Sequence, residues 1–171
     1  MAKRPPSVQG GPSFFDETEE PAVARSDRRL IVEADGGSRG NPGPAAYGAV
    51  VRDAQTSKVL AAEGLPIGRA TNNVAEYRGL IAGLEMAREV DPTAALEVRM
   101  DSRLVIEQMA GRWKVKHADM KSLALEAARL RPPAVTWTWV PRELNKVADT
   151  LVNRALDGDP VPRRYTVDRP R

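Results

Sequence analysis

After three strand-like segments the apolar pattern of this chain first turns helical near residue 71, and that change restricts the fold more than any other feature. Before it, three segments read as strands in succession: "RRLIVEAD", "AAYGAVVRD" and "KVLAAEGLPIG". After it, in "TNNVAEYRGLIAGLEMAREV", Val74, Tyr77, Leu80, Ile81, Leu84 and Ala87 recur at helical spacing behind an asparagine pair fit to cap. "ALEVRM" then reads as a fourth strand, "SRLVIEQMAG" and "DMKSLALEAARL" as helices, "AVTWTWV" as a fifth strand and "ELNKVADTLVNRAL" as a closing helix. Three consecutive strands imply an antiparallel meander, and the alternation after them implies parallel neighbours. The expected class is therefore α/β, a mixed five-stranded sheet flanked by helices, with strands 1–3 antiparallel and strands 4–5 parallel.

The turn after the first strand is unusual. In "VEADGGSRGNPGPAAYGAVV" an apolar run ends on Asp35 and meets a loop rich in glycine and proline. The loop suggests a phosphate cradle, yet it lacks the G-K-[ST] ending of a P-loop and leads into a strand instead of a helix. Its glycines let a backbone come close to a polymer chain.

Composition narrows the chemistry. Without cysteine, disulfides, zinc-thiolate sites and thiol catalysis are excluded, and any metal must sit on oxygen ligands or on the single histidine, His117. No apolar segment approaches the roughly 18 residues of a membrane span, and the N-terminus lacks the apolar run of a signal peptide, so a cytoplasmic protein with no membrane partner is expected. The formal net charge is +3. Residues 31–157 carry seventeen basic against sixteen acidic side chains, so any electrostatic footprint must be local. The best candidate is "GRWKVKHADMK", where Arg112, Lys114, Lys116 and Lys121 surround Trp113. Residues 1–28, polar and aperiodic, read as a disordered tail, residues 29–157 as the folded domain and residues 158–171 as a flexible basic tail.

Four acids stand out by placement: Asp35 at the end of strand one, Glu76 early in the first long helix, Asp101 after strand four and Asp149 within the last helix. Each has a local explanation. Glu76 stands three residues after Asn73, as in a capping box; Asp101 is placed to cap the next helix; Asp149 is spaced to pair with Lys146; Asp35 suits a turn.

Together with their flanks, the segments "ADGGSRGNPGPAAYG", "TNNVAEYRGL", "MDSRLVIEQMAG" and "VPRELNKVADTLVNRAL" occur in the order and at about the spacing of the active-site segments of type I ribonuclease H, and residues 30–157 closely resemble that family. The short "GRWKVKHADM" makes the chain most similar to the bacterial and archaeal branch lacking a basic protrusion, including the ribonuclease H portion of actinobacterial two-domain proteins. The resemblance implies a ribonuclease H-like fold and an endonuclease that cuts the RNA strand of RNA–DNA hybrids, leaving 3′-hydroxyl and 5′-phosphate ends. It implies Asp35, Glu76, Asp101 and Asp149 as ligands for two Mg²⁺ ions, with Mn²⁺ as the alternative, and no small-molecule cofactor. Substrate contacts are implied for Gly36, Asn41, Thr71, Asn72, Asn73, Ser102, Arg103, Trp113, Lys114, Lys116 and Asn145, the tryptophan being equally suited to the core. A monomer is expected.

The chain departs from the family pattern in two places. Arg103 stands where many relatives have glutamine, and the segment before the last helix carries no histidine; Arg142, seven before Asp149, occupies that place as an auxiliary group. Two other readings are a hybrid-binding module without catalysis, which would be expected to lose an acid, and a different nuclease or recombinase of the same general fold.

Overall fold

The computed structural model describes residues 26–166, so most of the expected N-terminal tail and the last five residues lie outside the described part. The elements are β1 (Arg29–Ser38), β2 (Gly43–Asp53), β3 (Val59–Ala70), α1 (Asn72–Val90), β4 (Ala95–Met100), α2 (Arg103–Met109), α3 (Ala118–Leu130), β5 (Val135–Trp139), a 3₁₀ turn (Arg142–Leu144), α4 (Lys146–Leu156) and β6 (Val161–Tyr165). They form one sheet in the order β5-β4-β1-β2-β3-β6. β1, β2 and β3 make the expected antiparallel meander, and β4 pairs parallel with both β1 and β5.

The sheet has six strands where five were expected. Residues 161–165, read from sequence as part of a flexible tail, pair antiparallel with β3. The segment is short and holds Pro162 and two arginines, a poor strand signal, but as an edge strand it tolerates proline. Residues distant in sequence hold it: Val161 joins Val50, Ala62 and Leu151 in a small apolar cluster. Arg163 reaches Glu63 at 2.9 Å and Glu85 at 3.5 Å, and the Tyr165 hydroxyl bonds Glu89.

One sheet face carries the main core. Leu30, Val32, Ala34, Ala49, Val51, Val98 and Met100 project from the strands to meet Leu80, Leu84 and Met86 of α1 and Val105 and Ile106 of α2, all buried. Each fully buried large aliphatic side chain contributes about 1.5–3 kcal/mol before conformational entropy is subtracted. α4 covers part of the opposite face through Leu151, Val152 and Ala155. Helices thus clamp the β1–β2–β3 region on both sides, which fixes the end of β1 against α1 and α4.

Candidate active site

The parallel pairing of β1 and β4 brings the first two acids together. Glu33 lies opposite Arg99 in that register, so two residues further along both strands Asp35 stands beside Asp101. Both occupy the carboxyl end of the parallel pair, where β1 turns away toward β2 and β4 leads into α2. A crevice at such a switch in strand direction is where open α/β sheets bind ligands. Ser102, not Asp101, caps α2, its hydroxyl accepting from Val105 N–H at 3.3 Å; this leaves the Asp101 carboxylate free of that duty.

Glu76 reaches the pair because α1 crosses β1 at backbone contact. A Cβ on Gly36 would lie 2.1 Å from the Ala75 carbonyl carbon, and one on Gly79 would lie 2.4 Å from the Asp35 carbonyl oxygen. Gly36 is buried and serves this approach. Gly79 was missed in the sequence, although its position three residues after Glu76 was a signal. Thr71 is the helix cap, accepting from Val74 N–H at 3.3 Å, so neither asparagine nor Glu76 serves as the cap. Instead, Oε2 of Glu76 is buried with no hydrogen-bond partner. One carboxylate oxygen each of Asp35, Glu76 and Asp101 lies within 4.8 Å of the others.

Asp149 adjoins this trio from α4. It lies near enough to Asp35 to raise its pKa through charge and hydrogen bonding. It pairs with Arg142 at 3.4 Å, and Asn153 donates to its second oxygen at 3.4 Å; the pairing with Lys146 suggested by spacing is not among the ion pairs. Asn145 corrects a further expectation. It is 1% exposed, and its amide nitrogen donates to the Ala34 carbonyl and to Asp101 Oδ1, both at 2.9 Å. It ties Asp101 to β1 instead of facing a substrate.

Burial, then the charges of Asp101 and Asp149, push the Asp35 pKa up to about 8, against a hydrogen bond from Gly36 N–H. Burial, Asp35 and Asp101 likewise hold Glu76 well above the usual carboxylate range. No ion pair among the described residues involves Asp35, Glu76 or Asp101. Converging carboxylates, one with an orphaned buried oxygen, form an all-oxygen donor set that fits a hard divalent cation.

Stability should report this directly. An acid whose pKa is higher in the folded than in the unfolded chain makes the folded state bind more protons between the two values. Folding stability of the metal-free protein should therefore fall as pH rises from near 4 through about 8. The expected decrease is on the order of a few kcal/mol. Thermal melts in EDTA between pH 5 and 8.5 measure it, and added Mg²⁺ should recover more stability at pH 8 than at pH 5; a flat profile would contradict the clustering.

Around the acids, the first loop and α1 are laced together. Asn41 Oδ1 accepts from Asn72 N–H at 3.1 Å, and Asn72 Oδ1 accepts from Ser38 N–H at 2.8 Å. Both carbonyl oxygens are engaged internally, so their outward chemistry is donation from the amide groups. Asn73 lines a groove of about 500 Å³ with Leu104, Trp113, Lys114, Lys116 and His117. Trp113 is 47% exposed, so the core alternative does not hold. Arg112 is committed to Glu107 at 2.5 Å, which leaves Lys114 and Lys116 as the groove's cations. The groove wall is braced by Gln108, which accepts from the Tyr77 hydroxyl at 2.7 Å and donates to the Lys114 carbonyl at 3.4 Å. Gln108 carried no sequence signal beyond its place on the buried side of α2.

A mixed sheet in this strand order, with carboxylates gathered where β1 and β4 end, is the ribonuclease H-like class of fold. Residues 33–155 match the family described as reverse transcriptase-like. The chain is 44% identical over 154 residues to ribonuclease HI of Halobacterium salinarum, covering 88% of this chain and 74% of that protein. It is 57% identical over 131 residues to the bifunctional protein Rv2228c of Mycobacterium tuberculosis, covering 75% of this chain but only 36% of that protein, so it spans about a third of that relative's length. The solved N-terminal ribonuclease H domain of the same mycobacterial protein superposes with a TM-score of 0.73 at 54% identity, covering 77% of this chain and 96% of that one. A ribonuclease H1 named LC11, solved in complex with an RNA/DNA hybrid, gives a TM-score of 0.71 at 41% identity over 75% of this chain and 97% of its own. The chain belongs to the type I ribonuclease H family. Among the described residues, no helix is long and apolar enough to cross a membrane.

Proposed function

We propose that this protein is an endonuclease that hydrolyses the RNA strand of RNA–DNA hybrids, leaving 3′-hydroxyl and 5′-phosphate ends. The observation that carries the reading is the gathering of Asp35, Glu76 and Asp101 within 4.8 Å, in a chain of this family. Asp35, Glu76, Asp101 and Asp149 would hold two divalent cations, Mg²⁺ or Mn²⁺. When bound, these supply Lewis-acid polarisation of the phosphate and lower the pKa of water.

The chain's own residues do the rest. Asn145 fixes the Asp101 carboxylate against β1, and the α1–β1 crossing fixes Glu76 against Asp35. A water oxygen adds to phosphorus as the bond to O3′ breaks, so the oxygen stays on the 5′-phosphate and O3′ takes up a proton. The amide donors of Asn41, Asn72 and Asn73, with Thr71 and Ser102, line the approach and suit acceptors on sugar, phosphate and base edges in the minor groove. Hybrid cleavage compared with double-stranded RNA, double-stranded DNA and single-stranded RNA, in Mg²⁺ and in Mn²⁺, tests the reading; no cleavage of the hybrid would sink it.

Lys114 and Lys116 act on binding. Replacing both with alanine should weaken hybrid affinity and flatten its salt dependence by roughly 0.7–0.9 in log–log slope for each phosphate no longer neutralised, with turnover at saturation little changed. Titrations at several salt concentrations measure this, and an unaltered slope would reduce the pair to a solvated surface.

Arg142 is auxiliary. Its guanidinium stands 3.4 Å from Asp149, and because an arginine side chain is a poor proton carrier it orients a phosphate or helps product leave. Arg142→Ala should slow turnover by about 10- to 100-fold, roughly 1.4–2.8 kcal/mol of barrier. Arg142→Lys should recover only part of it, since an ammonium cannot make the planar two-pronged contact. Rates from pH 6 to 9 decide: a titration present in the native enzyme and absent in Arg142→Ala would overturn this role.

A further inference from the structure

Trp139 ends β5 beside the carboxylates, 42% exposed, and makes two specific contacts. Its Nε1–H donates to the main-chain carbonyl of Asp101 at 3.1 Å. The Arg103 guanidinium lies over its ring, 4.9 Å from the centroid. The register places Trp139 opposite Met100, so the indole stands next to the point where the chain leaves β4 for Asp101. One side chain thereby connects the main chain of a metal-site acid to a cation that makes no ion pair among the described residues.

Neither contact follows from packing alone. A tryptophan serving only the core would be buried, as the strand neighbour Met100 is. Arg103 is the first residue of α2, where the positive end of the helix dipole disfavours a cation. Asp101 lies two residues away and Glu107 one turn along the same helix, the latter already engaged by Arg112. A free arginine in that setting would fold onto a carboxylate. The aromatic face instead holds the guanidinium, 4.9 Å from the ring centroid, and a guanidinium held this way still has N–H groups to offer a two-pronged acceptor such as a pair of phosphate oxygens.

We propose that Trp139 is a positioning residue that holds Arg103 as a phosphate clamp on the strand being cut, beside the scissile linkage, while its indole N–H steadies the Asp101 main chain. This rests on the hybrid-cleavage reading above. The clamp also supplies positive charge next to acids that would otherwise repel the polyanion.

Four variants separate the two contacts: Arg103→Ala, Trp139→Phe, Trp139→Leu and the double Arg103→Ala/Trp139→Leu. Hybrid Kd is read from the anisotropy of a labelled hybrid in EDTA at several salt concentrations, where nothing is cut, and Mn²⁺ affinity is read by calorimetry without nucleic acid. Arg103→Ala should raise Kd about tenfold and lower the salt slope by roughly 0.7–0.9, the amount expected when one phosphate is left without its cation, with Mn²⁺ affinity unchanged. Trp139→Phe keeps an aromatic face but no N–H, so Kd and slope should hold while Mn²⁺ binds a few-fold more weakly. Trp139→Leu should show both defects, and the double variant should bind hybrid no worse than Arg103→Ala. An unchanged slope in Arg103→Ala, or Kd increases that multiply in the double variant, would overturn the clamp. Unchanged Mn²⁺ affinity in Trp139→Phe would overturn the support of Asp101. Absence of hybrid cleavage by the native protein would instead fall on the activity, since neither binding measurement depends on it.

Discussion

Asp35→Asn should lower hybrid cleavage by about 10³-fold or more, some 4 kcal/mol of barrier, while the metal-free protein melts at a higher temperature than the native one. The two outcomes share one cause. Asp35 is 7% exposed and shares its space with Glu76, Asp101 and Asp149, so its charge is costly without a cation and useful only with one. The amide has nearly the same shape and still accepts from Gly36 N–H, but it removes one negative charge from the cluster. Relief of that repulsion should contribute about 1–3 kcal/mol at pH 8 and progressively less as pH falls and the native carboxyl protonates. In a domain of this size that is several degrees in melting temperature. Activity assays in Mg²⁺ paired with melts in EDTA check both. Abolished activity together with a lower metal-free melting temperature would mean that Asp35 is a structural residue, and the catalytic assignment would fall. Glu76→Gln should behave alike, because its Oε2 has no protein partner to lose.

The acids were legible in the sequence only jointly: each alone suits a cap, a turn or a helical ion pair, and it is their four flanking segments, in the order and spacing of the type I ribonuclease H family, that single them out. The elements around them were legible singly, since period 2 and period 3.6 are written locally. What the sequence hid depends on contacts between distant segments. β6 is held by Arg163 on Glu63, a hundred residues away, and by Val161 in a cluster drawn from β2, β3 and α4. No local pattern in "VPRRY" announces them. Asn145 reads as a helix-start residue or a surface amide, and only the fold places it against Ala34 and Asp101. The caps were misplaced by one or two residues for a subtler reason. Threonine, serine, asparagine and aspartate all cap well, so "TNN" and "DS" each offer adjacent choices. The structure takes Thr71 and Ser102, and in each case the neighbouring functional side chain is released from capping.

Gly36→Ala should destabilise the protein by about 3 kcal/mol and reduce cleavage by roughly 100-fold, although residue 36 carries no chemistry of its own. The added methyl would lie 2.1 Å from the carbonyl carbon of Ala75 and 2.3 Å from the nitrogen of Glu76. Both are backbone atoms within α1, so no side-chain rotation can relieve the overlap, and the helix must move off the strand. Glu76 moves with it, away from Asp35 and Asp101, and a shift near 1 Å is enough to spoil a catalytic geometry. Gly79→Ala meets the same crossing from the other side, 2.4 Å from the Asp35 carbonyl oxygen, and should act alike. Gly37 provides the control, since a Cβ there finds only Val152 Cγ1 at 3.7 Å, an ordinary contact. Gly37→Ala should therefore leave melting temperature and Mn²⁺ affinity near native values, while Gly36→Ala lowers both. Equal behaviour of the two variants in melts and metal titration would show that the α1–β1 crossing does not set the distance between Glu76 and Asp35, and some other contact would have to hold the acids together.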